Sequence, residues 1–331
     1  MARRAGVSTA SVTRFLRGQR VRSASAIAEA VRALDYRPSE VARSLKSGVT
    51  RSIGVVVPDV SNPFFAAVVK GAESVSRLDM YNISLCNTDE SAEREHEVLA
   101  ALRGRVDGLI LAPVTEQAET VADLRRAEVP IVLLDREFHG NTGFDAVLVD
   151  NAGGARQAVE HLVGLGHERI GLISGPIDTT PGRGRYEGFV AALGDAGIEL
   201  DEAHVQQGDF REEGGYQAAL RLLAVQPPLT AIFAANNLMS IGALRALRDM
   251  GASVPGDVSF IGFDDHALAE LLAPPLTVID RPTEEQGALA MRLLLNRLGG
   301  ATGDKPRRIV LDTTLRSRGS CAPPRDRTTA A

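Results

Sequence analysis

Ile53-Gly54-Val55-Val56-Val57 is an unbroken apolar run, followed by Pro58-Asp59 and, after a short loop, by Asn62-Pro63-Phe64-Phe65. A short apolar run without alternation, closed by Pro and Asp, reads as a strand covered on both faces. Phe65, Val68, Val69, Ala72, Val75 and Leu78 then keep one apolar helical face for about four turns. A strand of this kind followed by such a helix is the unit from which parallel sheets are wound.

The unit repeats. Further runs lie at 83–86, 109–112, 131–134 and 146–149, and a second series at 170–173, 231–234 and 258–261. Two series predict two doubly wound parallel sheets, and hence an α/β core of two lobes. Residues 276–280 read as a crossing back to the first lobe and 309–312 as a late strand. A chain of 331 residues is long enough for two or three such units.

The first 51 residues are different. They hold eleven Lys and Arg (among them Arg3, Arg4, Arg14 and Arg32) against Glu29, Asp35 and Glu40. The whole chain nevertheless has a formal charge of −5, so the rest is strongly acidic. A basic head on an acidic body suits a polyanion partner for the head alone. Within it, a helix ending at Ala5, the turn Gly6-Val7-Ser8 and a helix from Thr9 make a helix-turn-helix pattern, with Ser8 as N-cap. Val12, Phe15 and Leu16 form one apolar stripe, and Ile27, Ala30, Val31 and Leu34 form a second. The second helix of such a motif presents its first residues to base edges in the major groove. Thr9, Ala10 and Arg14 are the candidate base readers, and Ser8, Ser11 and Thr13 the candidate phosphate donors.

Other classes find little support. No run approaches the roughly 18 apolar residues of a membrane span, and the start Met-Ala-Arg-Arg leads into no apolar leader, which points to the cytoplasm. Cys86 and Cys321 are far apart and lack metal-type spacing, so neither a disulfide nor a metal site is expected. There is no phosphate-binding Gly-x-x-x-x-Gly-Lys loop and no Gly-x-Ser-x-Gly elbow. Neither an enzyme nor a cofactor is expected.

Ala5-Gly-Val-Ser-Thr-Ala-Ser-Val-Thr-Arg-Phe-Leu16 resembles the recognition-helix signature of the lactose-repressor (LacI/GalR) family of bacterial transcription regulators. The likeness continues through Leu34-Asp-Tyr-Arg-Pro38, Val41-Ala-Arg-Ser-Leu45, the stretch from Ile53 to Phe65, Val106-Asp-Gly-Leu-Ile110, Val149-Asp-Asn151, Leu165-Gly-His167, Gly175-Pro176 and Gly262-Phe-Asp-Asp265. It therefore covers nearly the whole chain in order. It implies a small all-α helix-turn-helix head, a hinge and an α/β two-lobed core like that of periplasmic binding proteins. The expected partition is a head at 1–37 with an incomplete first helix, and a hinge helix and linker at 38–50. The core follows at 51–319, its first lobe at about 51–151 and 281–312 and its second at about 152–280 and 313–319. A disordered tail is expected at 320–331. Against the family pattern the start looks about six residues late. Thr9, Ala10 and Arg14 match base-reading positions. Ala42 and Leu45 match the hinge-helix contacts, Leu45 being the wedge that enters the minor groove beside its dimer mate.

In open parallel sheets ligands sit beyond the carboxyl ends of the strands. That rule selects Asn62 to Phe65, Asp135-Arg136, the loop leading to Arg185, Phe210, Asn236-Asn237 and Asp264-Asp265. The resemblance narrows the effector set to Phe65, Asp135, Arg185, Phe210, Asn236 and Asp264, with Phe64 and Thr179 on the rim. Arg136 matches sugar-type relatives, and Asn237 stands where an Asp is usual. The protein implied by the resemblance is a homodimeric regulator, a repressor, with double-stranded operator DNA as partner. Its operator affinity would be set by a small effector, a sugar or sugar derivative, with a nucleoside or purine as the other class. The competing reading is a solute-binding module with no DNA role.

Overall fold

The computed structural model describes residues 1–16, 18–35, 48–126, 129–140, 143–300 and 305–325. The chain divides into two compact units, Met1–Thr50 and Arg51–Ala331.

In the first unit the helices Thr9–Leu16 and Ala24–Ala33 bury Val12, Ile27 and Ala30. Ser8 caps the first of them: its Oγ accepts from Ser11 N at 3.2 Å, satisfying an orphan amide of the first turn. The helix expected to end at Ala5 is instead a run of turns, held by Ala5 N donating to Met1 O at 3.0 Å and Val7 N to Ala2 O at 3.1 Å. One turn costs the full nucleation penalty and gains nothing from propagation.

The second unit holds two six-stranded sheets. The first is ordered β11-β5-β4-β3-β1-β2, with β1 Ser52–Val57, β2 Asn82–Asn87, β3 Gly108–Leu111, β4 Ile131–Leu134, β5 Asp145–Val149 and β11 Arg308–Leu311. The second is ordered β12-β10-β9-β8-β6-β7, with β6 Ile170–Ser174, β7 Val205–Gln207, β8 Ala231–Ala234, β9 Ser259–Phe263, β10 Thr277–Asp280 and β12 Thr314–Arg316. All pairings are parallel except β10 with β12. β1, β3, β4, β6, β8 and β9 are buried almost throughout, as apolar strands covered on both faces must be.

The chain crosses between sheets more than once. After β10 it passes through Asp280-Arg281-Pro282 into the helix Thr283–Leu298, which packs on the helix Pro63–Ser76 of the first lobe. The packing is close because both helices place glycine at the contact. A Cβ on Gly71 would lie 1.9 Å from Glu284 O, and one on Gly287 would lie 2.0 Å from Val68 O. After β11 the chain returns at Asp312-Thr313 to β12.

The disordered tail expected at 320–331 does not hold for its first part. Ser320 is buried and its Oγ donates to Phe260 O at 2.6 Å. Ala322 O accepts from Ser259 Oγ at 2.9 Å and lies 2.9 Å from His167 Nε2. A polar sequence here is held against the start of β9, because Phe260 N also donates to Ser320 O.

Candidate ligand cleft and helix face

On the helix Thr9–Leu16, Thr9, Ala10, Thr13 and Arg14 are exposed while Val12 faces inward. Ser8 is exposed and Ser11 half-buried. The candidate phosphate donors also serve the helix. Ser8 Oγ lies 3.0 Å from Ser11 Oγ, and Thr13 Oγ1 donates to Thr9 O at 3.0 Å. Ala42 and Leu45 lie outside the described residues.

In each sheet the strand order reverses beside the first strand, between β1 and β3 and between β6 and β8. Such a reversal opens a crevice at the carboxyl ends of the strands. The two crevices face each other across one shared cleft. Of the candidate effector residues, Phe64, Phe65, Asp135, Arg136, Arg185, Phe210, Asn236 and Asp264 line it, together with Asp59, Asn62, Glu90, Pro181, Asp209, Arg211 and Arg281. Thr179 does not line it. Its hydroxyl caps the helix Thr180–Asp195, accepting from Gly182 N at 3.2 Å and donating to Pro176 O at 2.7 Å.

Backbone geometry aims three of these side chains. Asp135, Phe210 and Asp264 have φ of 63°, 63° and 73°. Left-handed backbone at a non-glycine residue costs on the order of 1 kcal/mol and concentrates at functional sites. Here it turns each side chain off its strand end into the cleft.

The central feature is Arg281, which the sequence pattern does not single out. It is nearly fully buried and stacks 3.5 Å over the Phe64 ring. Its Nη1 donates to Asp135 Oδ1 at 2.5 Å, and its Nε approaches Asp264 Oδ1 to 2.6 Å. The second contact is an ion pair whose N–H is not aligned for a hydrogen bond. Asp135 follows β4 of the first sheet and Asp264 follows β9 of the second, so one guanidinium joins the lobes. The strand-end rule applied to 276–280 would have found it. Burial works to raise the Asp135 carboxyl, but Arg281, Arg185 and Arg136 outweigh it and hold its pKa low.

Arg136 is paired differently, and its Nε has no partner. Its Nη1 and Nη2 donate to the two oxygens of Glu90 at 2.9 and 2.6 Å, a bidentate pair, and its guanidinium lies 5.7 Å from the Phe210 ring centre. Arg185 has no acid in hydrogen-bond contact. Its Nε donates to Asn151 Oδ1 at 2.9 Å, its Nη1 to Ala235 O, and its Nη2 has no partner. Burial pushes its pKa down to about 10. Asn236 lines the cleft with its amide already engaged. Its Oδ1 caps the helix Asn237–Asp249 at Met239 N, 2.8 Å, and its Nδ2 donates to Phe210 O at 2.9 Å. Asp265 points away from its neighbour and pairs with Arg318 at 2.6 Å.

Several bonds hold the lobes together around this space. Asn237 Nδ2 donates to Asn62 Oδ1 at 2.9 Å. Arg211 Nη2 lies 3.1 Å from Asp89 Oδ1. Glu116 of the first lobe accepts from Thr180 N, from Thr180 Oγ1 at 2.6 Å and from Arg183 Nη2 at 3.1 Å. Among the described residues no helix is long and apolar enough to cross a membrane.

A family model for periplasmic-binding-protein-like domains matches residues 159–321. The ribose operon repressor of Escherichia coli (strain K12) is 36% identical over 326 residues, covering 97% of this chain and 98% of that protein. A structure of the lac repressor dimer bound to operator and an anti-inducer superimposes with a TM-score of 0.84 at 26% identity, covering 97% of each chain. A LacI family transcriptional regulator from Enterococcus faecium with bound ribose gives a TM-score of 0.75 at 33% identity, covering 83% of this chain and all of that one.

Proposed function

Because the chain belongs to the lactose-repressor (LacI/GalR) family of transcription regulators, we propose that the exposed face of Thr9–Leu16 reads operator DNA and that the cleft between the sheets binds the effector. The protein is a DNA-binding repressor under allosteric control, acting as a homodimer, and not an enzyme. Two heads read two half-sites of a pseudo-palindromic operator, since a two-fold protein imposes two-fold DNA. Thr9, Ala10 and Arg14 carry base readout, with Ser8, Ser11 and Thr13 toward the phosphates. To residues 38–50, with Ala42 and Leu45, we assign the role of transmitting the state of the core to the heads.

The observation that carries the effector reading is the convergence of Asp135, Arg185 and Asp264 with Phe64, Phe65 and Phe210 on one crevice. Carboxylates and guanidinium bind hydroxyls, and rings cover the apolar face of a small cyclic ligand. That chemistry supports a sugar or sugar derivative, the class to which the ribose bound by the Enterococcus faecium regulator belongs. An effector with different affinities for the open and closed lobes shifts the balance between DNA-competent and DNA-incompetent dimers. The coupling acts equally in both directions.

The exposed apolar side chains Leu268, Leu271 and Leu272, with Ile241 and Leu244 beside them, are the surface we assign to the pairing of two chains. An apolar group of this kind is the usual mark of such an interface. A gel shift of the full chain on the DNA upstream of its own gene, with and without candidate sugars, tests the whole reading. A sequence-selective shift that responds to one sugar is the expected result. The absence of any selective shift would refute it.

A further inference from the structure

We propose that Glu90 sets the specificity of the cleft: by neutralising Arg136 it makes the site accept an uncharged polyhydroxylated ligand and reject the phosphorylated or carboxylated form of the same body. The inference rests on the reading of the cleft as the effector site. It follows from the balance of charge around that cleft and from the backbone that brings Glu90 to it.

Among the described residues that line the cleft are the arginines Arg136, Arg185, Arg211 and Arg281 and the acids Asp59, Glu90, Asp135, Asp209 and Asp264. Their charges leave no positive excess for an anion to fill. Arg281 has Asp135 and Asp264, and Arg211 has Asp89. Arg185 touches no acid, and Asp264 and Asp135 act on it through space. Arg136 is buried and has Glu90, which accepts through both oxygens. Burial works to lower the Arg136 pKa, but Glu90, ahead of Asp135 and Glu116, outweighs it and holds the pKa high.

The backbone is unusual where it places this acid. Asp89 and Glu90 are consecutive non-glycine residues with φ of 55° and 53°. Left-handed backbone is costly at either, and such strain concentrates at functional sites. The turn follows β2 and is tied by Glu90 N donating to Pro58 O at 3.1 Å. It sends Asp89 to Arg211 of the other lobe and Glu90 to Arg136 of its own. The Glu90–Arg136 pair therefore does not hold the lobes together. It stands in the cleft wall, with the Arg136 guanidinium facing the Phe210 ring. An ion-paired carboxylate keeps lone pairs, and Arg136 keeps an unpartnered Nε. Hydroxyls can use both without changing the charge of the site. An anion finds Arg136 already neutralised and meets the like charge of Glu90, and juxtaposed like charges are a means of rejecting a wrong ligand.

The test uses matched probes on the full chain at constant ionic strength, read by titration calorimetry, with thermal shift to confirm folding. One pair is D-ribose with D-ribose 5-phosphate. The other is D-glucuronamide with D-glucuronate, which differ in charge and hardly in size. In at least one pair the neutral member should bind at least about 10-fold more tightly. Glu90→Gln keeps an acceptor for Arg136 and removes the negative charge, and should move that ratio about 10-fold or more toward the anion. A purely structural role for Glu90 would weaken both members of a pair alike and leave the ratio where it was. A ratio unchanged in Glu90→Gln therefore overturns the assignment to Glu90. Anions that bind the wild type as tightly as their neutral partners overturn the inference while leaving the effector cleft in place. Binding of no probe overturns both the inference and the sugar class proposed above. If the variant does not fold, the wild-type comparison decides alone.

Discussion

Replacing Glu95 by Gln should stabilise the core at neutral and alkaline pH and leave it unchanged in acid. Glu95 lies on the helix Ala92–Leu102 and is almost fully buried. Its Oε2 accepts from Val114 N at 2.7 Å. Burial pushes its pKa up to about 7 from 4.5; the Val114 amide and Arg136 oppose that rise, and Glu90 adds to it. The folded pKa is thus raised above the unfolded one. Below pH 4.5 the group is protonated in both states and costs nothing. Between 4.5 and 7 only the unfolded chain releases the proton, so stability falls as pH rises, and above 7 the loss is complete. At about 1.4 kcal/mol per unit, the loss is on the order of 3 kcal/mol. Gln retains an acceptor for Val114 N and cannot ionise. Urea unfolding of both proteins at pH 5, 6, 7 and 8 should therefore give curves that diverge steadily toward alkaline pH, with the variant more stable by roughly 3 kcal/mol at pH 8. Parallel pH dependence in the two proteins would refute the reasoning.

Gly71→Ala should cost at least about 2 kcal/mol and lower the melting temperature by several degrees, because its Cβ would meet a backbone carbonyl at 1.9 Å; a wild-type melting curve would show that the two helices can separate freely. Arg14→Ala should relax preference at one base position of each half-site by about 1–3 kcal/mol, and selection from a randomised operator library with an unaltered consensus would exclude it as a base reader. Leu271→Glu places a charge on a side chain 79% exposed and should dissociate the dimer, measured by sedimentation equilibrium; a dimer of unchanged affinity would move the interface elsewhere. Glu116→Ala removes the acid that receives Thr180 and Arg183 from the other lobe, and should open the core, raising the radius of gyration in solution scattering and weakening effector binding. An unchanged scattering profile would count against that role.

The parallel strands are legible in the sequence because burial on both faces leaves an unbroken apolar run, as in Val55-Val56-Val57 or Ile131 to Leu134. β7 and β12 are not. Val205-Gln-Gln207 and Thr314-Leu-Arg316 lie at sheet edges, where half-exposed residues carry no such run. The strand-end rule suffices to locate Asp135, Arg185 and Asp264. It does not foresee that Asn236 spends its amide as a cap or that Thr179 turns its hydroxyl onto its own helix. Both are hydrogen-bond decisions made within three residues, and Ser, Thr and Asn satisfy them as readily as they bind a ligand. Arg281 escapes notice because an Asp-Arg-Pro sequence after a strand looks like an exposed turn. It becomes buried only where the chain crosses between two sheets and meets one acid from each.

The bonds that join the lobes are unequal, and their burial ranks them. Arg211 with Asp89 is about half exposed on both sides, so water and salt screen it and it contributes roughly 0–1 kcal/mol. Asn62 with Asn237 is buried but neutral, worth about 1 kcal/mol. Glu116 is buried and sits on the first turn of Thr180–Asp195, where free amides and the helix dipole both favour an anion. Arg281 is more constrained still, because separating the lobes would take it from one of its two acids and strand a buried charge, an event that costs about 3–5 kcal/mol when a partner is simply removed. Opening must therefore carry Arg281 with one lobe and bring water to the acid of the other. A ligand that supplies its own partner to Arg281 or to the acids changes that cost directly. The effector site and the closure of the core are for this reason a single set of interactions, and differential binding to the two states follows from the same residues that line the cleft.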